Sequence, residues 1–217
     1  GGIFIITDDK EKTIDFSTDS FRGVSEEQKK VYKEYLINNA IPVQLDKLDD
    51  KELMEKSGIN EHQILLYGEH HATVKNFEME LFLIKYLNQN EGIRHIFIES
   101  GYCDAQLLNR YLATGDESIL KGMMNNLKGT FAYSQGTFNF YKSIYEYNKT
   151  LPEDKKLELI GVDVQHQTPT GMDYIISLLP EKEAPEVIKT ELSALQLMHK
   201  SQNYRMADLT ALLKSVE

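Results

Sequence analysis

Three short, largely apolar runs, each followed by a turn and a helix-like stretch, constrain this chain more than any other feature. They are Gln63-Ile64-Leu65-Leu66-Tyr67, His95-Ile96-Phe97-Ile98 and Leu157-Glu158-Leu159-Ile160. The first is continuous, as expected of a strand buried on both faces, and the other two are read as strands. Between the runs lie stretches with helical periodicity. Phe77, Leu81, Ile84 and Leu87 share one face, as do Leu108, Tyr111 and Leu112, and Phe138, Tyr141 and Tyr145. Strands alternating with helices predict an α/β fold, with an open, mainly parallel sheet and helices on both faces. Right-handed crossovers then run the three strands in one direction.

The punctuation agrees with this division. Ser25 and Gln28 form a capping box that opens a helix from Ser25 to Asn38, with Val31, Tyr35 and Asn38 on one face. Pro42 closes that region. A second helix is expected over Leu45–Lys56, with Gly58 near its end. A third runs to Asn90 before Gly92, and a fourth covers Asp104–Ala113 before Gly115, both glycines standing where left-handed caps belong. Residues 116–136 read as a short helix and a loop, and Leu151–Lys156 as a surface turn. Gly68 and Gly161 are read as breaks that end the first and third strands. The chain is expected to form a single domain over 1–217. Residues 1–24 read as an N-terminal arm or hairpin, and 183–217 as a helical segment that begins a larger domain.

Composition narrows the partners. Thirty-four acids against 24 Lys and Arg give a formal net charge of −10, which argues against a nucleic-acid backbone as ligand. No apolar run approaches the roughly 20 residues of a membrane span. One cysteine, Cys103, rules out an internal disulfide. Two compartments fit, the cytoplasm and export with the signal removed.

Ligands of open parallel sheets bind beyond the carboxyl ends of the strands. Just past the three predicted ends lie Gly68-Glu69-His70-His71, Glu99-Ser100-Gly101 and Gly161-Val162-Asp163-Val164-Gln165-His166. Glu69, His70, His71, Glu99 and Asp163 are therefore expected to converge on one cleft. At least one acid should have a shifted pKa, because three close carboxylates repel. A carboxylate beside imidazole fixes its tautomer and raises its basicity, which suits general-base chemistry on a small-molecule substrate. Glu69, His70, His71 and His166 also offer nitrogen and oxygen ligands to a divalent metal. The plainer reading is that each acid caps a helix or lies in a solvated turn. His62 and His95 read as structural, His199 as a surface helix residue, and Cys103 as an inert thiol. The sequence has no phosphate-cradling glycine loop, Gly-x-Ser-x-Gly elbow or His-Glu-x-x-His helix.

The run from Ile64 to Gly115 resembles the erythromycin esterase-like family. An apolar strand leads to Gly-Glu with a nearby His, then a helix ending near Lys85-Tyr86-Leu87. A second strand ends in Glu99, and Leu107-Leu108-Asn109-Arg110-Tyr111-Leu112-Ala113-Thr114-Gly115 follows. Tyr147-Asn148 and Gly161-Val162-Asp163-Val164-Gln165 continue the likeness, which covers residues 41–180. A wider superfamily with the same start includes haem-binding iron-uptake proteins and Tiki-type metalloproteases. The resemblance implies a hydrolase of ester or lactone bonds in which a His activates water with glutamate support. By position, Glu69 is the motif acid, His71 the motif His, Glu99 the second acid, and Asp163 part of the third motif. The family's usual spacing is Gly-Glu-x-x-His, one residue longer than here, and its basic residues near Phe82 are replaced by apolar ones. Two alternatives accompany this reading. One is metal or haem binding, or metal-dependent hydrolysis; the other is a non-catalytic ligand-binding domain.

Overall fold

The computed structural model describes residues 3–6, 23–68, 73–179, 185–205, 207–208, 210–211 and 214. The chain packs as two compact units, residues 1–93 and 94–217.

In the first unit, strand β1 (Ile3–Ile6) pairs in parallel with β2 (Ala40–Val43), Ile3 opposite Ala40 and Ile6 opposite Val43. Helix α1 (Glu26–Asn39) makes the crossover. Its capping box is formed as expected: the Gln28 amide donates to Ser25 Oγ, and the Ser25 amide donates to Gln28 Oε1. The pairing of β1 with β2 is parallel and so needs a crossover; the arm or hairpin expected over residues 1–24 otherwise lies outside the described residues. Pro42 does not close a helix but sits inside β2, on a strand with only one neighbour, where a missing N–H is tolerated. The expected Val31/Tyr35 face of α1 is exposed.

Helix α2 (Lys51–Ser57) is shorter than expected, and α3 (Val74–Glu91) ends at Gly92 with φ 68°. The core of this unit gathers Ile41, Val43, Leu53, Met79, Phe82 and Tyr86, with Leu45, Leu48, Leu83 and Leu87 against it. Tyr86 is fully buried and donates its hydroxyl to the Asp50 carbonyl at 2.6 Å, tying α3 to the segment before α2.

The Gln63–Tyr67 run corrects the first expectation. It forms no strand, and Ile64 and Leu66 are 80% and 95% exposed. A strand needs a ladder partner, and apolar content alone does not supply one.

In the second unit, β3 (His95–Gly101) and β4 (Glu158–Asp163) form a parallel pair. His95 lies opposite Glu158 and Ile98 opposite Gly161, but Gly101, not Ser100, lies opposite Asp163. One extra residue on β3 makes a bulge. Gly161 does not break β4, as the sequence suggested; it lets the bulge close. A Cβ there would strike the Gly101 carbonyl oxygen and lie 2.7 Å from that of Ser100.

Helix α4 (Tyr102–Thr114) starts directly at the end of β3 and packs on the pair, burying Ala105, Leu107, Leu108, Tyr111 and Leu112. Helices α5 (Glu117–Asn126), α6 (Gln135–Lys149) and α7 (Thr168–Ser177) pack around α4. Gly115 caps α4 at φ 71°, as predicted. The C-terminal segment carries α8 (Lys189–Ser201). Ile98 and Leu159 are buried, whereas Phe97 and Val162 are exposed. Among the described residues no helix is long and apolar enough to cross a membrane.

Candidate functional site

The carboxyl ends of β3 and β4 form one rim, because parallel strands end on the same side. Asp163 is the last residue of β4, and Gly101 lies opposite it. Its Oδ1 accepts from the Val164 amide at 2.7 Å, and its Oδ2 contacts His166 Nε2 at 2.9 Å. The Val164 amide first, and His166 second, hold this carboxyl below the usual range. An acid capping a helix would accept from amides two or three residues on. Asp163 accepts from the next residue and from an imidazole, so it is not a helix cap.

Glu99 lies inside β3, two residues before Gly101, rather than after the strand as expected. The strand continues because the bulge carries pairing on to Gly101. Glu99 is exposed, and among the described residues its carboxylate caps no helix. Glu69, His70 and His71 lie outside the described residues. Among the described residues the imidazole that contacts Asp163 is that of His166, which the sequence placed past the third strand and offered as a metal ligand. Among the described residues no group of three or more His, Cys, Asp or Glu side chains is placed to hold a metal ion. His95 contacts Glu158, its opposite number on β4, at 3.5 Å.

Behind this rim is an acid that the sequence analysis did not single out. Asp104, in the first turn of α4, is buried with 9% of its surface exposed. Burial pushes its carboxyl up, against the hydrogen bond from Gln165, the backbone amides of Asp104 and Gly101, and the charge of His166. Gln165 holds three segments together. Its Nε2 donates to Asp104 Oδ2 and to the Gln167 carbonyl at 3.1 Å, while its Oε1 accepts from the Cys103 amide at 3.2 Å. Gly101 makes room for this side chain, since a Cβ there would lie 2.8 Å from Gln165 Cδ and 2.9 Å from its Cα. The Cys103 thiol is pushed up by burial and by the charge of Asp104, which keeps it protonated.

Gln165→Ala should therefore destabilise the fold by about 1–3 kcal/mol, since it leaves the Asp104 carboxylate short of a donor in a buried place. The loss should be larger at neutral pH than in acid. The folded-state pKa of Asp104 lies above the unfolded one, so the ionised group costs stability at neutral pH, and that cost disappears as pH falls below the unfolded carboxylate range. Urea unfolding of both proteins at pH 7 and pH 3.5 checks this. A pH-independent difference would show that Gln165 does not bear on the Asp104 charge.

No curated protein and no solved structure matches the chain. The family model described as erythromycin esterase matches residues 89–217, which take in β3, α4, β4, the bulge between the strands and the Gln165 clamp. That is more than half of the sequence, and the chain belongs to the erythromycin esterase family.

Proposed function

We propose that this protein hydrolyses ester or lactone bonds, with His71 as general base on water and Glu69, Glu99 and Asp163 as its supporting acids. Family membership supports a hydrolase-type function. The observation that carries the finer reading is the rim itself: Glu99 and Asp163 stand near the carboxyl ends of two adjacent parallel strands, and neither caps a helix. Acids spared from capping at the ligand-binding edge of a parallel sheet are free for chemistry. In this mechanism His71 takes a proton from water as the oxygen attacks the carbonyl carbon. A glutamate holds the imidazole in the right tautomer, and the imidazolium then protonates the leaving alkoxide. Asp163 is kept ionised by the Val164 amide and His166, which leaves a negative group at this rim.

The test is a panel of simple alkyl esters and lactones of graded ring size, followed by proton release. Turnover that saturates with substrate and rises through the imidazole range is expected. No turnover on any member, with thermal stabilisation by one of them, would favour a binding domain instead.

A further inference from the structure

Three side chains of the second unit, on α7, on α8 and just after α8, form an acid–imidazole–hydroxyl chain. Asp173 on α7 is held through Oδ2 by Asn126 Nδ2 at 2.8 Å, and Asn126 also donates to the buried Thr170 hydroxyl at 3.2 Å. The other oxygen of Asp173 contacts His199 Nε2, on α8, at 3.1 Å. His199 Nδ1 then meets the Tyr204 hydroxyl at 2.8 Å. Gln202, in left-handed conformation at φ 54°, turns the chain at the end of α8 so that Tyr204 folds back on the imidazole. His199 lies on a surface helix, as expected, and is held there between Asp173 and Tyr204. A carboxylate accepting from one ring N–H leaves the other nitrogen as the acceptor, so Nδ1 faces the phenol proton. The hydroxyl's other contacts are longer: the His199 carbonyl at 3.3 Å and Gln202 Nε2, which donates to it, at 3.5 Å. This is the order of groups that activates a hydroxyl nucleophile, with the two ring nitrogens in exchanged roles.

We propose that Tyr204, His199 and Asp173 form a second nucleophilic site, at which the Tyr204 oxygen accepts the acyl group of activated carboxylic esters. As the phenol oxygen bonds to the carbonyl carbon, its O–H bond breaks and the proton moves to His199 Nδ1. The tetrahedral intermediate collapses by breaking the bond to the leaving oxygen or sulfur, which departs with its electron pair. His199 passes its proton to solvent, and an aryl ester of Tyr204 remains. Burial and the charge of Asp173 push the Tyr204 phenol up, so the free phenolate is scarce and the proton must leave during attack. The same chemistry sets the substrate class. A phenolate displaces only groups that leave at least as readily as itself, which admits aryl esters and thioesters and excludes alkyl esters and lactones. This site is therefore independent of the His71 reaction.

The probe is 4-nitrophenyl acetate, and the readout is peptide mass mapping of acetyl groups across the 12 tyrosines of the intact protein. The exposed Tyr32 and Tyr35 are internal references. Tyr204 should be acetylated at least about tenfold faster than either, a modest share of what a general base contributes. Asp173→Asn, which can keep an acceptor for Asn126, should bring Tyr204 down to the reference rate. Tyr204→Phe should abolish the label without changing lactone hydrolysis. A Tyr204 rate less than tenfold above the references overturns the proposal, and this comparison needs no variant. An unchanged rate in folded Asp173→Asn overturns it too, because a merely structural clamp would leave the phenol's reactivity alone.

Discussion

Replacing His71 by alanine is expected to lower the turnover of the best ester or lactone by about 10²–10⁴-fold, the usual contribution of a general base. The effect should fall on kcat with KM little changed, because the imidazole acts on water rather than on the bound substrate. The wild-type rate should rise with pH as the general base loses its proton, and the variant should lack that limb. His70→Ala is the matched control. The family position selects His71 of the pair. Comparable turnover in His71→Ala and wild type would remove His71 from the mechanism. Joint loss in both variants, accompanied by loss of bound metal from the wild-type preparation, would shift the reading to a metal-dependent hydrolase. Circular dichroism of each variant separates these outcomes from misfolding.

The parts of the fold that were legible in the sequence are those decided by neighbours in the chain. The Ser25–Gln28 capping box and the left-handed glycines 92 and 115 each need only the local backbone, and all three are found. β3 and β4 were legible because their apolar runs meet each other. The Gln63–Tyr67 run is at least as apolar but forms no strand, so apolar content could not distinguish it. Gly161 was misread for a related reason. A glycine inside a strand looks like a break, yet its role depends on the Ser100–Gly101 backbone some sixty residues earlier in the chain.

The rim follows the same division. That Glu99 and Asp163 lie near strand ends was legible, because strand ends are local. That Asp163 meets His166 depends on how the turn after β4 folds. Asp104 was invisible because an acid in the first turn of a helix normally faces water and the helix dipole. Only Gln165, brought across from beyond β4, makes it a buried group. The Asp173–His199 contact likewise joins two helices whose individual periodicities say nothing about which of their polar residues meet.

Asn109 carries the second large effect. It entered the sequence analysis only as part of the family-like stretch on α4, and its structural role is to complete β4. Asn109 Nδ2 donates to the Leu159 carbonyl at 2.8 Å, and the Leu159 amide donates to Asn109 Oδ1 at 2.9 Å. The side-chain amide thus does for Leu159 what a further strand would do. Asn148 repeats the device just before β4, accepting from the Leu157 amide at 2.8 Å. Leu159 is 1% exposed, so no water replaces a lost partner. Asn109→Ala leaves a buried N–H and a buried C=O unpaired, at about 1–3 kcal/mol each, and should destabilise the unit by about 2–4 kcal/mol. Asn109→Asp sharpens the test. Its carboxylate still accepts from the Leu159 amide but turns a second oxygen toward the Leu159 carbonyl, so the introduced group has a raised pKa in the fold. The penalty should be full at neutral pH and shrink as pH falls through that raised value, because the protonated carboxyl can donate to the carbonyl as the amide did. Urea midpoints at pH 7 and pH 4.5 read both effects. An Asn109→Ala protein within about 0.5 kcal/mol of wild type, the ordinary range for a surface substitution, would mean that β4 does not depend on this amide.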